Sequence, residues 1–198
     1  MQYRNIEFVC TGNKGRSPLA EAFARRYANR RRLSKEIELS SSGTLVDFLK
    51  NPDMETLGSL LERFSYKALQ QGIITKDEVG EIKQRRNLDK ILDKIFGEIR
   101  ERESEQRRIV LGEKGIFAYL DPNRQSRQTI VRANAELILT MDEENYGRVV
   151  SIYSNANITP RIELLGKIDD PILSTLEEYR EIVNQVEEAT ERVMDTIL

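Results

Sequence analysis

The sequence predicts an α/β protein, a four-stranded parallel sheet with helices on both faces, interrupted by an α-helical insertion. Three observations carry this expectation. A short apolar run ending at Cys10 leads through a glycine-containing polar loop into residues with helical spacing. A second apolar run, around Leu137 to Met141, again precedes a helical stretch. Between them, residues 76–108 repeat apolar positions at three- and four-residue steps amid nearly balanced charge. Strands alternating with helices imply parallel pairing with both faces covered.

Taken in order, Ile6, Phe8 and Val9 read as a buried strand. After the loop, Leu19, Ala20, Phe23, Ala24 and Tyr27 recur at helical spacing. Ser17 before Pro18 suits an N-cap with proline at the first helical position. Ile37 and Leu39 followed by SSSGT suggest a second strand, Leu137 to Met141 a third with a helix in DEENYGRVV, and PRIELL a fourth. Residues 176–198 place Tyr179, Ile182, Val183, Val186, Ala189, Val193 and Ile197 on one face of a long helix.

The middle is different. Val79, Ile82, Leu88, Ile91, Leu92, Ile95, Phe96 and Ile99 mark one or two amphipathic helices, and Glu81 with Arg85, Glu98 with Arg102, and Glu103 with Arg107 stand four apart in the favourable order. The expected organisation is one domain over 1–198, assembled from about 1–44 and 125–198, with about 45–124 as the insertion. Its apolar stripe needs a covering surface, either the core domain or a partner, so a homodimer through the insertion is a candidate.

Composition narrows the chemistry. The 198 residues contain no histidine and one cysteine. Without histidine there is no Ser-His-Asp triad and no HExxH zinc site. One thiol forms no internal disulfide and no cysteine metal cluster, so no metal and no cofactor is expected. A net charge of −2 gives no field favouring nucleic acid or membrane. The start of the chain lacks a signal-peptide pattern and no apolar stretch approaches a membrane span, so a cytoplasmic location is expected.

The chemistry concentrates in Cys10-Thr11-Gly12-Asn13-Lys14-Gly15-Arg16-Ser17. A thiol at the carboxyl end of a strand sits where open parallel sheets bind ligands. Two glycines let backbone N–H groups turn inward as an anion nest at a helix start. Arg16 can clamp two phosphate oxygens, positive surroundings favour a thiolate, and Ser17 can donate to the sulfur. The plain alternative is a structural cysteine beside an ordinary turn. Neither GxxxxGK[ST] nor GxGxxG is present here.

CTGNKGRSPLAE, Cys10 through Glu21, resembles the active-site loop of the low-molecular-weight protein tyrosine phosphatases. SSSGT (Ser40 to Thr44), AELILTMDEEN (Ala135 to Asn145) and Asp170-Pro171 resemble further stretches of that family in the same order. The resemblance implies a phosphatase-like fold and a cysteine-dependent hydrolase. Cys10 would be the nucleophile, Arg16 would hold phosphate with the amides of Thr11 to Ser17, and Asp170 would be the general acid, preferred over Asp169 because it precedes Pro171. Asn13, Ser17 and Ser41 would support the loop.

Departures from the family are informative. Gly15 stands where many members carry a second cysteine, so their protective disulfide is impossible. A bracing histidine would fall near Arg124, so another group must brace Asn13. Ile172 and Leu173 replace the aromatics that form a phosphotyrosine wall. Thr11 matches members that act on phosphoarginine.

The leading expectation is a phosphatase acting on phosphorylated protein, phosphotyrosine by resemblance, with phosphoarginine as the rival. Phosphate, sulfate or arsenate would occupy the loop. An arsenate reductase using an external thiol and a non-catalytic anion-binding module are the other readings.

Overall fold

The computed structural model describes residues 3–198, apart from the side chain of Glu103. Four parallel strands, β1 (Asn5–Cys10), β2 (Glu38–Gly43), β3 (Leu137–Thr140) and β4 (Arg161–Leu164), are ordered β2-β1-β3-β4. Along β1, Ile6, Phe8 and Cys10 point into the main core, whereas Val9 points into a smaller cluster on the other face. Helices α1 (Arg16–Arg30) and α6 (Leu176–Ile197) cover the first face, and α5 (Glu143–Tyr153) covers the second with Val149 and Tyr153. Both faces are buried, which explains why β3 opens as the apolar run Leu137 to Leu139 and why β1 is broken only by the buried Glu7 between Ile6 and Cys10.

Helix α1 begins two residues earlier than the sequence suggests. Gly15 is its N-cap and makes no side-chain cap. Ser17 lies inside the first turn, with its hydroxyl turned toward the loop rather than toward the helix amides. The tertiary demand for that hydroxyl overrides its local capping preference. α6 follows the common rule, with Thr175 and Glu178 forming a reciprocal capping box.

Between β2 and β3 the chain forms α2 (Met54–Gln70), α3 (Lys76–Lys83) and α4 (Leu88–Glu113), with short 3-10 turns at Phe48–Lys50 and Phe117–Tyr119. Helix α2 carries no flagged pattern in the sequence expectation, although Asp53 caps it through the Thr56 amide. The apolar stripe predicted for residues 76–108 closes on itself: Ile82, Leu88, Ile91, Ile95 and Ile99 pack with Leu57 and Leu61 of α2. The stripe is thereby covered within the chain.

The expected pairing of Glu81 with Arg85 does not form. Helix α3 ends at Lys83, and Arg85 adopts a left-handed backbone (φ 55°), so the four-residue helical spacing is lost. Arg85 pairs with Glu62 at 2.6 Å instead, while Glu98 and Arg102 do approach, at 3.4 Å. The expected contact of Glu103 with Arg107 lies outside the described side chains; Arg107 donates to the Lys14 carbonyl. Buried Arg26 joins three elements, reaching Glu187 and Glu191 of α6 and the carbonyl of Lys114. No helix among the described residues is long and apolar enough to cross a membrane.

Candidate active site

The loop after β1 is held by β2. The Thr44 and Leu45 amides donate to the carbonyls of Cys10 and Thr11, at 2.9 and 3.0 Å. This close approach requires Gly43, since a Cβ there would lie 2.7 Å from both the Asn13 nitrogen and the Thr11 oxygen. Asn13 takes a left-handed conformation (φ 52°), which asparagine tolerates better than most residues. Its side-chain Nδ2 donates to Ser17 Oγ at 3.0 Å and its side-chain Oδ1 accepts the Arg127 N–H at 2.9 Å. Among the described residues, the backbone N–H groups of Gly12, Asn13, Lys14 and Gly15 have no protein acceptor, as an anion nest at a helix start requires.

Cys10 is buried, with Ser17 Oγ 3.0 Å from its sulfur. The same hydroxyl is 3.1 Å from the Ser42 carbonyl. It has one proton, so it serves the sulfur or the carbonyl, not both.

Arg16 is 5% exposed and its guanidinium is fixed on three sides. It donates to Asp142 Oδ2 at 2.8 Å and to the Ile168 carbonyl at 3.0 Å, and lies 3.4 Å from Asp170 Oδ2. Burial works against its charge, but Asp170, the Cys10 sulfur and Asp142 outweigh it and raise the pKa further. Asp142 was not singled out as a site residue in the sequence. Its only signal was the MDEEN turn after β3. It caps α5 by accepting the Asn145 N–H at 2.8 Å while its other oxygen holds Arg16. Burial pushes the Asp142 carboxyl up, yet the Asn145 amide and Arg16 together hold it below the usual range. Asn145 also joins Thr44 and reaches toward the Thr11 hydroxyl at 3.5 Å.

The two adjacent aspartates separate. Asp170 lines the cavity with Cys10 and is 37% exposed on its side chain, whereas Asp169 is not part of that lining. Asp170 Oδ1 accepts the Ile172 N–H at 3.1 Å, fixing the turn at Pro171.

Behind the loop stands Arg124. It donates to the Asn13 carbonyl and to Ser41 Oγ, both at 3.0 Å, with Ser126 adding a contact to the same carbonyl. Ser41 itself does not reach the loop; its hydroxyl donates to Glu21. The brace sought in the sequence is therefore the residue at the expected histidine position. Burial lowers the Arg124 pKa, while Glu21 opposes that shift.

A cavity of about 220 Å³ opens over the loop. Cys10, Thr11, Lys14, Arg16 and Asp170 form its floor and one side. Leu49, Leu60, Phe64, Phe96 and Ile99 line it from the insertion together with Arg63 and Arg100. The aromatic wall missing after Asp170-Pro171 thus comes from α2 and α4. A wider open groove of about 660 Å³ runs between α1, β2 and residues 118–121 and contains none of the loop.

The fold is that of the low-molecular-weight protein tyrosine phosphatases, with extra helices between β2 and β3. Residues 5–76 match the family model of the low molecular weight phosphotyrosine protein phosphatases. Among solved structures, the chain is similar to YfkJ from Bacillus subtilis, with 19% identity, 100% of this chain and 96% of that chain covered, and a TM-score of 0.57. It is similar to Vibrio vulnificus Wzb in complex with benzylphosphonate, with 17% identity, 98% and 99% covered, and a TM-score of 0.57. It is also similar to the drosophila arginine phosphatase, with 18% identity, 99% and 97% covered, and a TM-score of 0.57. No curated protein matches the chain.

Proposed function

We propose that this protein hydrolyses phosphate monoesters on protein, phosphotyrosine first, through a cysteinyl-phosphate. One observation carries the reading: Cys10 and Asp170 line a single cavity with Arg16 between them. The Cys10 thiolate attacks phosphorus as the bond to the leaving oxygen breaks, and Asp170 gives its proton to that oxygen. Loop amides and Arg16 hold the equatorial oxygens where charge gathers. Asp170, now a carboxylate, takes a proton from water as water attacks phosphorus, and the sulfur leaves as thiolate. Ser17 then turns its proton from Ser42 toward the sulfur and stabilises it. These steps use a thiolate, an arginine and an aspartate, so the lack of histidine is no obstacle.

The test is hydrolysis of p-nitrophenyl phosphate at mildly acidic pH. Cys10→Ser should abolish turnover, and Asp170→Ala should slow it by about 10²–10⁴ while phosphate still binds. If Cys10→Ser changes nothing, the reading is lost.

The Thr11 hydroxyl supports a second substrate, phosphoarginine. It lines the cavity within 3.5 Å of the Asn145 amide, so it is a fixed polar group beside the nucleophile. The likeness in fold to an arginine phosphatase agrees with this. Paired phosphotyrosine and phosphoarginine peptides decide between the two, and Thr11→Ile should depress only phosphoarginine turnover if Thr11 sets the choice.

A further inference from the structure

The loop that carries Asp170 has little structure of its own, and much of what fixes it comes from the helical insertion. Leu173 adopts a left-handed conformation (φ 57°), unfavourable for a branched residue, and is 3% exposed. Its side chain belongs to the buried apolar cluster that includes Leu57, Leu61, Ile95 and Ile99 of α2 and α4, and Ile172 packs against the same cluster. Two carbonyls of the loop accept hydrogen bonds from insertion side chains. Gln71 Nε2 donates to the Leu173 carbonyl at 2.6 Å, and Gln106 Nε2 donates to the Ser174 carbonyl at 2.8 Å. Gln71 is itself oriented by Arg102, which donates to its Oε1 at 2.9 Å.

We propose that the insertion is a clamp that positions the general acid, with Leu173 as its plug and Gln71 and Gln106 as its two hydrogen-bonding arms. The inference rests on the phosphatase reading for what Asp170 does, but the clamp itself is a property of the fold. The plug holds a strained backbone that would otherwise relax, and relaxation would rotate Pro171 and the Asp170 carboxyl away from Arg16. Gln71, Gln106 and Leu173 touch no substrate atom. They are positioning residues, and their effect on kcat/KM, which reports transfer of the phosphoryl group to Cys10 and not the later attack of water, should appear only where the leaving group needs a proton.

The experiment compares wild type with Asp170→Ala, Leu173→Ala and the double variant Gln71→Ala with Gln106→Ala. Two substrates are used: phenyl phosphate, whose leaving group needs protonation, and 2,4-dinitrophenyl phosphate, whose leaving group does not. The clamp variants should lose roughly 10- to 100-fold in kcat/KM on phenyl phosphate. Their kcat/KM on 2,4-dinitrophenyl phosphate should change far less, the same asymmetry as Asp170→Ala. Backbone hydrogen exchange of residues 172–175 should quicken in both clamp variants. Equal losses in kcat/KM on both substrates, or unchanged exchange, would overturn the clamp. A wild type inactive on both substrates whose loop still loses protection in the variants would sink the phosphatase reading and leave the clamp standing.

Discussion

Arg124 donates to the carbonyl of Asn13 at 3.0 Å and, through its other terminal nitrogen, to Ser41 at the same distance. One planar guanidinium therefore ties the strained residue of the phosphate loop to β2. Its fixed fork spans both acceptors, a geometry that a lysine ammonium does not reproduce.

Removing this brace should loosen the loop before it unfolds the protein. Arg124→Ala should cost about 1–3 kcal/mol of stability, because two acceptors lose a charged donor. It should also lower kcat by about an order of magnitude as the loop amides lose alignment. Arg124→His should recover part of both. Thermal denaturation and p-nitrophenyl phosphate kinetics on the two variants measure this, and equal behaviour of both variants to wild type would remove Arg124 from the loop's support.

Asp142 sets a pH dependence of stability. Its carboxyl is held below the usual range in the fold, so the unfolded chain binds its proton at a higher pH. The stabilisation is then complete above the unfolded value of about 4 and is lost as pH falls through the folded value. Asp142→Asn keeps an oxygen to cap α5 but leaves Arg16 without this counter-charge. The gap in melting temperature between wild type and Asp142→Asn should be widest near neutrality and shrink below about pH 4. A gap that does not narrow in acid would show that the ion pair contributes nothing.

Phe64 and Phe96 should act on the substrate ring and not on the phosphoryl group. Each aromatic contact is worth about 0.5–1.5 kcal/mol, so either Phe→Ala change should raise KM for a phosphotyrosine peptide by roughly 2- to 12-fold. Inhibition by inorganic phosphate should stay as in wild type. If phosphate inhibition weakens in parallel with KM, the wall supports the loop rather than the ring.

Much of the site was legible in the sequence for a local reason. Cys10 through Ser17 lie in one strand-turn-helix, where chain geometry alone brings thiol, amides and guanidinium together. The main strands and the last helix were legible because burial on fixed faces imprints periodicity. Local reasoning failed where tertiary contacts outbid local preference. Ser17 gave up capping to serve the sulfur, and Arg85 left its helical partner when α3 stopped at Lys83.

The bracing of the loop and the wall of the cavity were decided only by tertiary structure. Arg124 lies 111 residues from Asn13, and no periodicity encodes a contact at that separation. Phe96 belongs to a helix whose pattern reveals an apolar stripe but not which end of the sheet it covers, and Phe64 belongs to α2, for which the sequence showed no pattern. The sequence by itself determined that a thiol, two glycines and an arginine share one loop at the end of a parallel strand, because those residues are contiguous. The folded chain decided what braces that loop and what faces it, because both depend on how an 80-residue-scale helical segment packs back across the carboxyl ends of the strands.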